Sequence, residues 1–122
     1  MDIRVVKREI RKKILSIRDS LSEEDIDKYS FLIKENFFSL PEVKKAQNFF
    51  IFVNFRSEVK TIPIINELIN KDKKIIVPYS DIENKRLILC YINSISELKI
   101  GNYGILEPDI NNSRRADLKD ID

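Results

Sequence analysis

The chain has 122 residues, of which 43% are hydrophobic, a size that suits one domain with a modest core. Its 22 Lys and Arg residues nearly balance its 20 Asp and Glu residues, and a net charge of +2 gives no global field favouring nucleic acid or an anionic membrane. The longest apolar runs are strand-sized and no signal-peptide core follows the N-terminus, so we predict a cytoplasmic protein that does not enter a membrane.

The absence of histidine restricts the chemistry that this chain can perform. It removes Ser-His and Cys-His catalytic arrangements and the common His-containing zinc sites. The single cysteine, Cys90, lies in an apolar run and has no partner for an internal disulfide, so we predict a small buried hydrophobic residue. Carboxylates, amines and guanidiniums remain, an inventory that suits phosphoryl transfer.

The first forty residues predict two helices. Apolar residues recur at spacings of three and four from Ile3 to Leu21, which is the stripe of an amphipathic helix. Ser22 is a predicted N-cap for the second helix, with acidic residues in the first turn, and Pro41 marks the end of that helix. The predicted buried face of the second helix consists of Ile26, Tyr29, Ile33, Phe37 and Leu40.

A strand, a helix and a second strand follow. The continuous apolar run 49–53 predicts a central strand of a parallel sheet, and 75–77 predicts the next strand. Between them Thr61 is expected to cap a helix that has Pro63 in its first turn. This order indicates an α/β fold, with a layered, parallel-type sheet flanked by helices, in a single domain spanning 1–122.

Regular patterning weakens toward the end of the chain. Residues 87–92 are a further strand candidate, and Ser94 can begin a short capped turn. The polar segment 109–122 contains no aromatic residue and reads as a loop or a frayed end.

Four basic residues of the first helix form a row beside its apolar stripe. Spacings of three, four and seven place them on one side of the helix, where they could point into a neighbouring cleft and bind polyphosphate oxygens. A solvated basic helix face is the alternative interpretation, and such faces are common. The row consists of Arg4, Lys7, Arg11 and Arg18.

Two other segments could carry a binding site. Glu58 lies in the loop after the first strand, where ligands bind in open parallel sheets, and its carboxylate could accept from an amino-pyrimidine ring or could simply lie near the next helix N-terminus. Tyr103 lies in a turn with Gly101 and Gly104, where it could stack on a flat ring or anchor the loop to the core. With only these two glycines, the chain has no glycine-rich phosphate loop.

Taken together and in order, these pieces resemble the 5-formyltetrahydrofolate cyclo-ligase family, also called methenyltetrahydrofolate synthetase. Each motif is weak singly, whereas five in register over nearly the whole chain are specific. The matching segments are KREIR at 7–11, RDSLSEE at 18–24, SEVKT at 57–61, IVP at 76–78 and YGILEP at 103–108.

The resemblance implies an enzyme that uses ATP to convert 5-formyltetrahydrofolate to 5,10-methenyltetrahydrofolate. Lys7 and Arg11 match positions that contact the nucleotide's phosphates. Glu58 matches a folate-contacting carboxylate, Val53 an apolar folate contact, and Tyr103 an aromatic residue near the pterin or its tail. No residue is assigned as a metal ligand, because the family's glycine-rich segment ending in Tyr-Tyr-Asp, which binds ATP phosphates and Mg²⁺, does not occur in this sequence.

That difference leaves alternatives open. A site built from these 122 residues alone is expected to be incomplete, and a second chain or an oligomer could complete it. A folate-binding remnant or regulator that does not turn over ATP is one alternative function. A small nucleic-acid-binding module that uses the basic first helix is another, disfavoured because the other helices are acidic or mixed and no basic patch is interleaved with aromatic residues.

Overall fold

The structure, a computed structural model, describes residues 2–122 and has a mixed α/β fold, as the sequence predicts. Among these residues no helix combines the length and the apolar character that a membrane crossing requires. Short 3₁₀ turns lie at 95–97, 102–104 and 118–120. The helices are α1 (Ile3–Asp19), α2 (Glu23–Ser39), α3 (Pro41–Lys45) and α4 (Ile62–Asn70), and the strands are β1 (Asn48–Phe50), β2 (Lys74–Asp81), β3 (Arg86–Ile92), β4 (Leu98–Ile100) and β5 (Leu106–Pro108).

The main sheet has the order β1-β2-β3. β1 and β2 are parallel and are connected through α4, which confirms the predicted strand-helix-strand unit. β3 returns antiparallel to β2, so the sheet is mixed. The prediction that the first apolar run is a central strand was wrong, because in the described part of the chain β1 is an edge strand and β2 is central. Phe50 and Phe52 are accordingly 40% and 50% exposed.

The core lies where α4 packs on β2. Ile65, Leu68, Ile75 and Val77 are fully buried there, at 0% exposure. Burying one such side chain contributes about 1.5 to 3 kcal/mol, so the four together stabilise the fold substantially. Cys90 on β3 is also fully buried, as predicted, and burial raises the pKa of its thiol despite the nearby Arg115 guanidinium.

The caps of α2 are as predicted, but its buried face differs. Ser22 Oγ accepts from the Asp25 amide at 3.0 Å, and Pro41 begins α3 directly after α2. Of the five residues expected to be buried, Ile26 is buried and Phe37 is half-buried, whereas Tyr29, Ile33 and Leu40 are exposed. The face is shifted because α2 packs on the loop after β1 through the buried Ser30, whose Oγ accepts from the Lys60 amide at 2.9 Å.

Helix α1 forms over the predicted stripe, yet none of its residues is buried. Ile10, Ile14 and Ile17 are each more than half exposed. Asp2 caps the helix, because its Oδ1 accepts from the Arg4 amide at 2.9 Å. The amphipathic pattern therefore predicts the helix correctly but not what covers it.

The last part of the chain contains structure that the sequence does not predict. β4 and β5 form a small antiparallel hairpin. The expected turn after Ser94 is present, closed by reciprocal hydrogen bonds between Ser94 and Glu97. The polar segment 109–122 runs beside β3, where Tyr91 N donates to Arg114 O at 2.8 Å, and its end reaches the free edge of β1, where Asp122 N donates to Asn48 O at 3.2 Å.

Candidate functional site

The loop 54–61 follows β1 and is held by the start of α4. Asn54 Oδ1 accepts from the amides of Thr61 and Ile62 at 3.0 and 3.2 Å, so Asn54 supplies the cap of α4. Thr61 is the N-cap residue of α4, as predicted, but its side chain forms no capping hydrogen bond, because its hydroxyl donates to Phe52 O at 2.8 Å. Pro63 lies in the first turn as predicted. These bonds fix both ends of the loop.

Glu58 closes a tight turn within this loop. Its Oε1 accepts from Phe55 N at 2.8 Å, and its own amide donates to Phe55 O at 3.1 Å. Arg56 between them has a φ of 52°, in the left-handed region that is costly for a non-glycine residue. Among the described residues no hydrogen bond reaches Oε2 of the half-buried Glu58. That oxygen can accept donors from a ligand.

The C-terminal end of α1 contacts the same loop. Arg18 Nε donates to Ser57 Oγ at 2.8 Å, and the Ser57 hydroxyl donates to the Asp19 carboxylate. Arg18 is half-buried, in contrast to the other members of the basic row. The contact fixes which side of α1 faces the Glu58 turn.

Lys7 and Arg11 lie on that side of α1. They precede Arg18 by eleven and seven residues. At about 100° per residue, both side chains leave the helix axis within about 20° of the direction of Arg18. The rise of 1.5 Å per residue places them about 16 and about 10 Å further along the axis. Both are exposed, and among residues 2–122 neither forms an ion pair. The basic row therefore extends away from the Glu58 turn along one line.

Lys60, the other cation of the loop, is engaged by α2. Its Nζ lies 3.1 Å from Glu23 Oε2 and 2.5 Å from Asp27 Oδ1. Hydrogen bonds to Asp27 and Glu23 raise the pKa of Lys60 above its ordinary value. Lys60 thus joins the loop to α2 and is less available to a ligand than the cations of α1.

Tyr103 projects from the turn between β4 and β5. Its side chain is 74% exposed, and its backbone is left-handed with a φ of 60°. The next residue, Gly104, lies against the Glu58 loop, because a Cβ placed on it would be 3.7 Å from Phe55 Cε1. The structure therefore brings together the loops that carry Glu58 and Tyr103. Val53, in contrast, is 5% exposed and belongs to the core beneath them.

The described residues do not form a metal centre. Among residues 2–122 no group of three or more Asp, Glu or Cys side chains is placed to hold a metal ion. In nucleotide-dependent enzymes Mg²⁺ is bound by one or two carboxylates together with phosphate oxygens, so a Mg²⁺ ion here would take most of its ligands from the nucleotide and water.

Three residues build this site in ways that the sequence does not reveal. Arg18 falls in the basic row, but its spacing does not distinguish an anchoring residue from a ligand-binding one. Ser57 and Asn54 lie in the loop, where small polar residues are common. For Asn54 the only signal in the sequence is a polar residue directly after the apolar run 49–53, seven residues before the helix N-cap.

Comparisons with known proteins agree on one family. The model of the 5-formyltetrahydrofolate cyclo-ligase family matches residues 3–122. A solved structure, 5,10-methenyltetrahydrofolate synthetase from Aquifex aeolicus, is 33% identical and superposes with a TM-score of 0.82. The match covers 96% of this chain and 58% of that one, so the chain spans less than two thirds of the length of this relative. No curated protein matches the chain.

Proposed function

The chain belongs to the 5-formyltetrahydrofolate cyclo-ligase family, and from this premise we propose that it binds 5-formyltetrahydrofolate and the phosphates of ATP for closure to 5,10-methenyltetrahydrofolate. In this reaction the formyl oxygen takes the terminal phosphoryl group of ATP, and the second folate nitrogen then closes the ring as phosphate leaves. The proposal covers a cytoplasmic protein of one-carbon metabolism whose partners are these two small molecules.

We assign the nucleotide's phosphates to Lys7 and Arg11. Both are exposed and free of ion pairs within residues 2–122, so their charge is available to an anion. A guanidinium can bind two phosphate oxygens at once, and an ammonium acts as a point charge. In phosphoryl transfer such cations stabilise the charge that develops on the transferred group and hold it in line with the attacking oxygen.

The pterin ring is assigned to Glu58 and Tyr103. The free Oε2 of Glu58 can accept from the amino-pyrimidine edge, while Oε1 keeps its bond to Phe55 N. Tyr103 offers an exposed ring for stacking. Val53 supplies apolar packing below the two loops and has little surface for direct contact.

One observation carries the proposal. The Glu58 turn is contacted from one side by α1, through the bond between Arg18 and Ser57, and from another by the Tyr103 turn, through Phe55 and Gly104. A carboxylate for the pterin and an aromatic ring for stacking therefore lie on adjoining loops, and the free cations for the phosphates lie about 10 and about 16 Å along α1 from its contact with the same loop.

Substituting Glu58→Gln tests the folate part. Glutamine keeps an oxygen for Phe55 N, so the melting temperature should stay within about 2 °C of the wild type, because exposed or half-buried isosteric changes usually alter stability little. A hydrogen bond to a charged acceptor contributes about 1.5 to 3 kcal/mol, so affinity for 5-formyltetrahydrofolate in calorimetric titration should fall by about tenfold to a hundredfold. Glu83→Gln, in the exposed turn between β2 and β3, is the matched control. Equal affinities for both variants would remove Glu58 from the site.

Folate binding without turnover is the second candidate function. Its support is that these 122 residues contain no glycine-rich phosphate loop. Measuring phosphate release from ATP with saturating 5-formyltetrahydrofolate separates the two. Binding with release supports the ligase function of this chain, and binding without release supports the second candidate.

A further inference from the structure

Glu107 on β5 is a buried carboxylate that the proposed reaction does not use. It is 4% exposed, and its Oε1 accepts from Ser80 N at 3.2 Å. Its Oε2 is buried without a hydrogen-bond partner among the described residues. An unpaired buried carboxylate oxygen is costly, so its presence calls for a specific explanation.

Gly101, at the start of the Tyr103 turn, is packed against that oxygen. A Cβ placed on Gly101 would lie 2.3 Å from Glu107 Oε2 and 2.8 Å from Glu107 Cδ. The backbone of Gly101, with a φ of −112°, does not itself demand glycine. The close approach of the Glu107 carboxylate is therefore the reason for glycine at this position.

The same carboxylate acts on the turn through Ser80. The Ser80 amide donates to Glu107, and the Ser80 carbonyl accepts from Asn102 Nδ2 at 2.8 Å, so both backbone groups of one β2 residue are bonded to side chains of the hairpin. The turn itself is closed by Gly101 N, which donates to Ile105 O at 2.8 Å. Between these bonds Tyr103 is held in the left-handed region, which a non-glycine residue adopts only when its surroundings fix it.

We infer that Glu107 is a positioning residue for the ligand: it fixes the turn at Gly101 and Ser80, and so presents Tyr103 beside the Glu58 loop. In this role Glu107 acts on the ligand through the turn and through Tyr103. The identity of that ligand as 5-formyltetrahydrofolate rests on the proposed function. Leaving Oε2 of Glu107 without a hydrogen-bond partner destabilises the fold. Functional positions often carry such a loss of stability, and here it accompanies the close fit of the carboxylate against Gly101.

A double-mutant cycle between positions 101 and 107 tests this inference. In Gly101→Ala the new methyl group must displace the carboxylate, so affinity for 5-formyltetrahydrofolate should fall about tenfold, within the range for residues in contact. In Glu107→Ala the Ser80 amide loses its acceptor, so the backbone order parameters of 101–105, measured by ¹⁵N relaxation, should fall. In the double variant the methyl group has room, so Gly101→Ala should change the affinity less than about threefold relative to Glu107→Ala alone.

Glu107→Gln is the conservative variant. It keeps the shape and the oxygen that accepts from Ser80 N while removing the charge, so loop order and affinity should match the wild type and the melting temperature should not fall. If Glu107 only stabilised the fold, the affinity, the backbone order parameters of 101–105 and the melting temperature would change together in every variant.

The outcomes separate this inference from the proposed function. If Gly101→Ala lowers the affinity for 5-formyltetrahydrofolate by the same factor in the wild-type chain and in the Glu107→Ala variant, the positioning role is overturned. If the wild-type chain does not bind 5-formyltetrahydrofolate, the proposed function fails, and the order parameters of the four variants still decide whether Glu107 fixes the turn. Should Glu107→Ala not fold, the comparison of Gly101→Ala with Glu107→Gln decides, because only the former is expected to disorder 101–105.

Discussion

The contact between α1 and the Glu58 loop is made by hydrogen bonds of Ser57 with Arg18 and Asp19, which makes Arg18→Ala an informative perturbation. No residue of α1 is buried, so the bond from Arg18 Nε to Ser57 Oγ, at 2.8 Å, contributes much of what fixes this end of the helix. A half-buried hydrogen bond contributes about 1 kcal/mol, which corresponds to a fall of about 3 to 6 °C in melting temperature for a chain of this size. Hydrogen exchange of 55–58 should quicken as well, because Ser57 loses a partner.

Two further variants make the prediction specific. Lys13→Ala removes a cation from another side of α1 and should leave the melting temperature within about 1 °C. Ser57→Ala also removes the hydrogen bond to Asp19, so it should be destabilised at least as much as Arg18→Ala. The double variant should be less destabilised than the sum of the two single variants by about 1 kcal/mol, measured by urea unfolding. Fully additive effects would refute the claim that the two side chains act as a pair, and with it the orientation of the basic row.

Three other predictions concern stability and reactivity. Leu68→Ala, at a site with 0% exposure, should lower the free energy of unfolding in urea by about 2 to 5 kcal/mol, whereas Leu118→Ala, at 79% exposure, should change it by less than about 0.5 kcal/mol. The pKa of Asp109 is lowered by hydrogen bonds from Asn112 and Lys99, so its ionised form stabilises the fold above about pH 4, and this contribution is lost as the pH falls through the lowered pKa. Asp109→Asn should therefore reduce the difference in melting temperature between pH 7 and pH 3. An unchanged difference would contradict the lowered pKa. Cys90 is fully buried and the pKa of its thiol is raised, so labelling by a disulfide reagent should be slow in the native chain and fast in urea, and rapid native labelling would show that β3 opens.

Local signals in the sequence predict most elements but not their surroundings. Ser22 and Pro41 bound α2 correctly because capping and proline geometry act within a few residues. Which residues of α2 become buried depends on its neighbour, and the loop after β1 contacts the polar Ser30 instead of the apolar stripe. The central position expected for β1 fails for the same reason, since an apolar run does not reveal how many strands pair with it.

The candidate site shows the same limit at the level of side chains. Glu58 could be chosen from its place after a strand, but the partner of its Oε1 and the freedom of its Oε2 depend on the conformation of Phe55 and Arg56. β4 and β5 are three residues each, too short for an alternating pattern, so the hairpin that positions Tyr103 is absent from the predictions. Glu107 lies in the matching YGILEP motif, but its burial next to Gly101 depends on the tertiary structure, and no pattern in the neighbouring sequence predicts it.

The distribution of ion pairs argues for the role given to α1. Lys60 is paired with two carboxylates of α2, and Arg18 is bonded to Ser57, so these two cations hold the surroundings of the Glu58 turn together. Lys7 and Arg11, further along the same line, form no ion pair within residues 2–122. A row of unpaired cations repels itself, and an anion placed along it relieves that repulsion. Under the proposed function, this row would hold the phosphates along α1, on the side of the helix where Arg18 contacts the loop that carries Glu58.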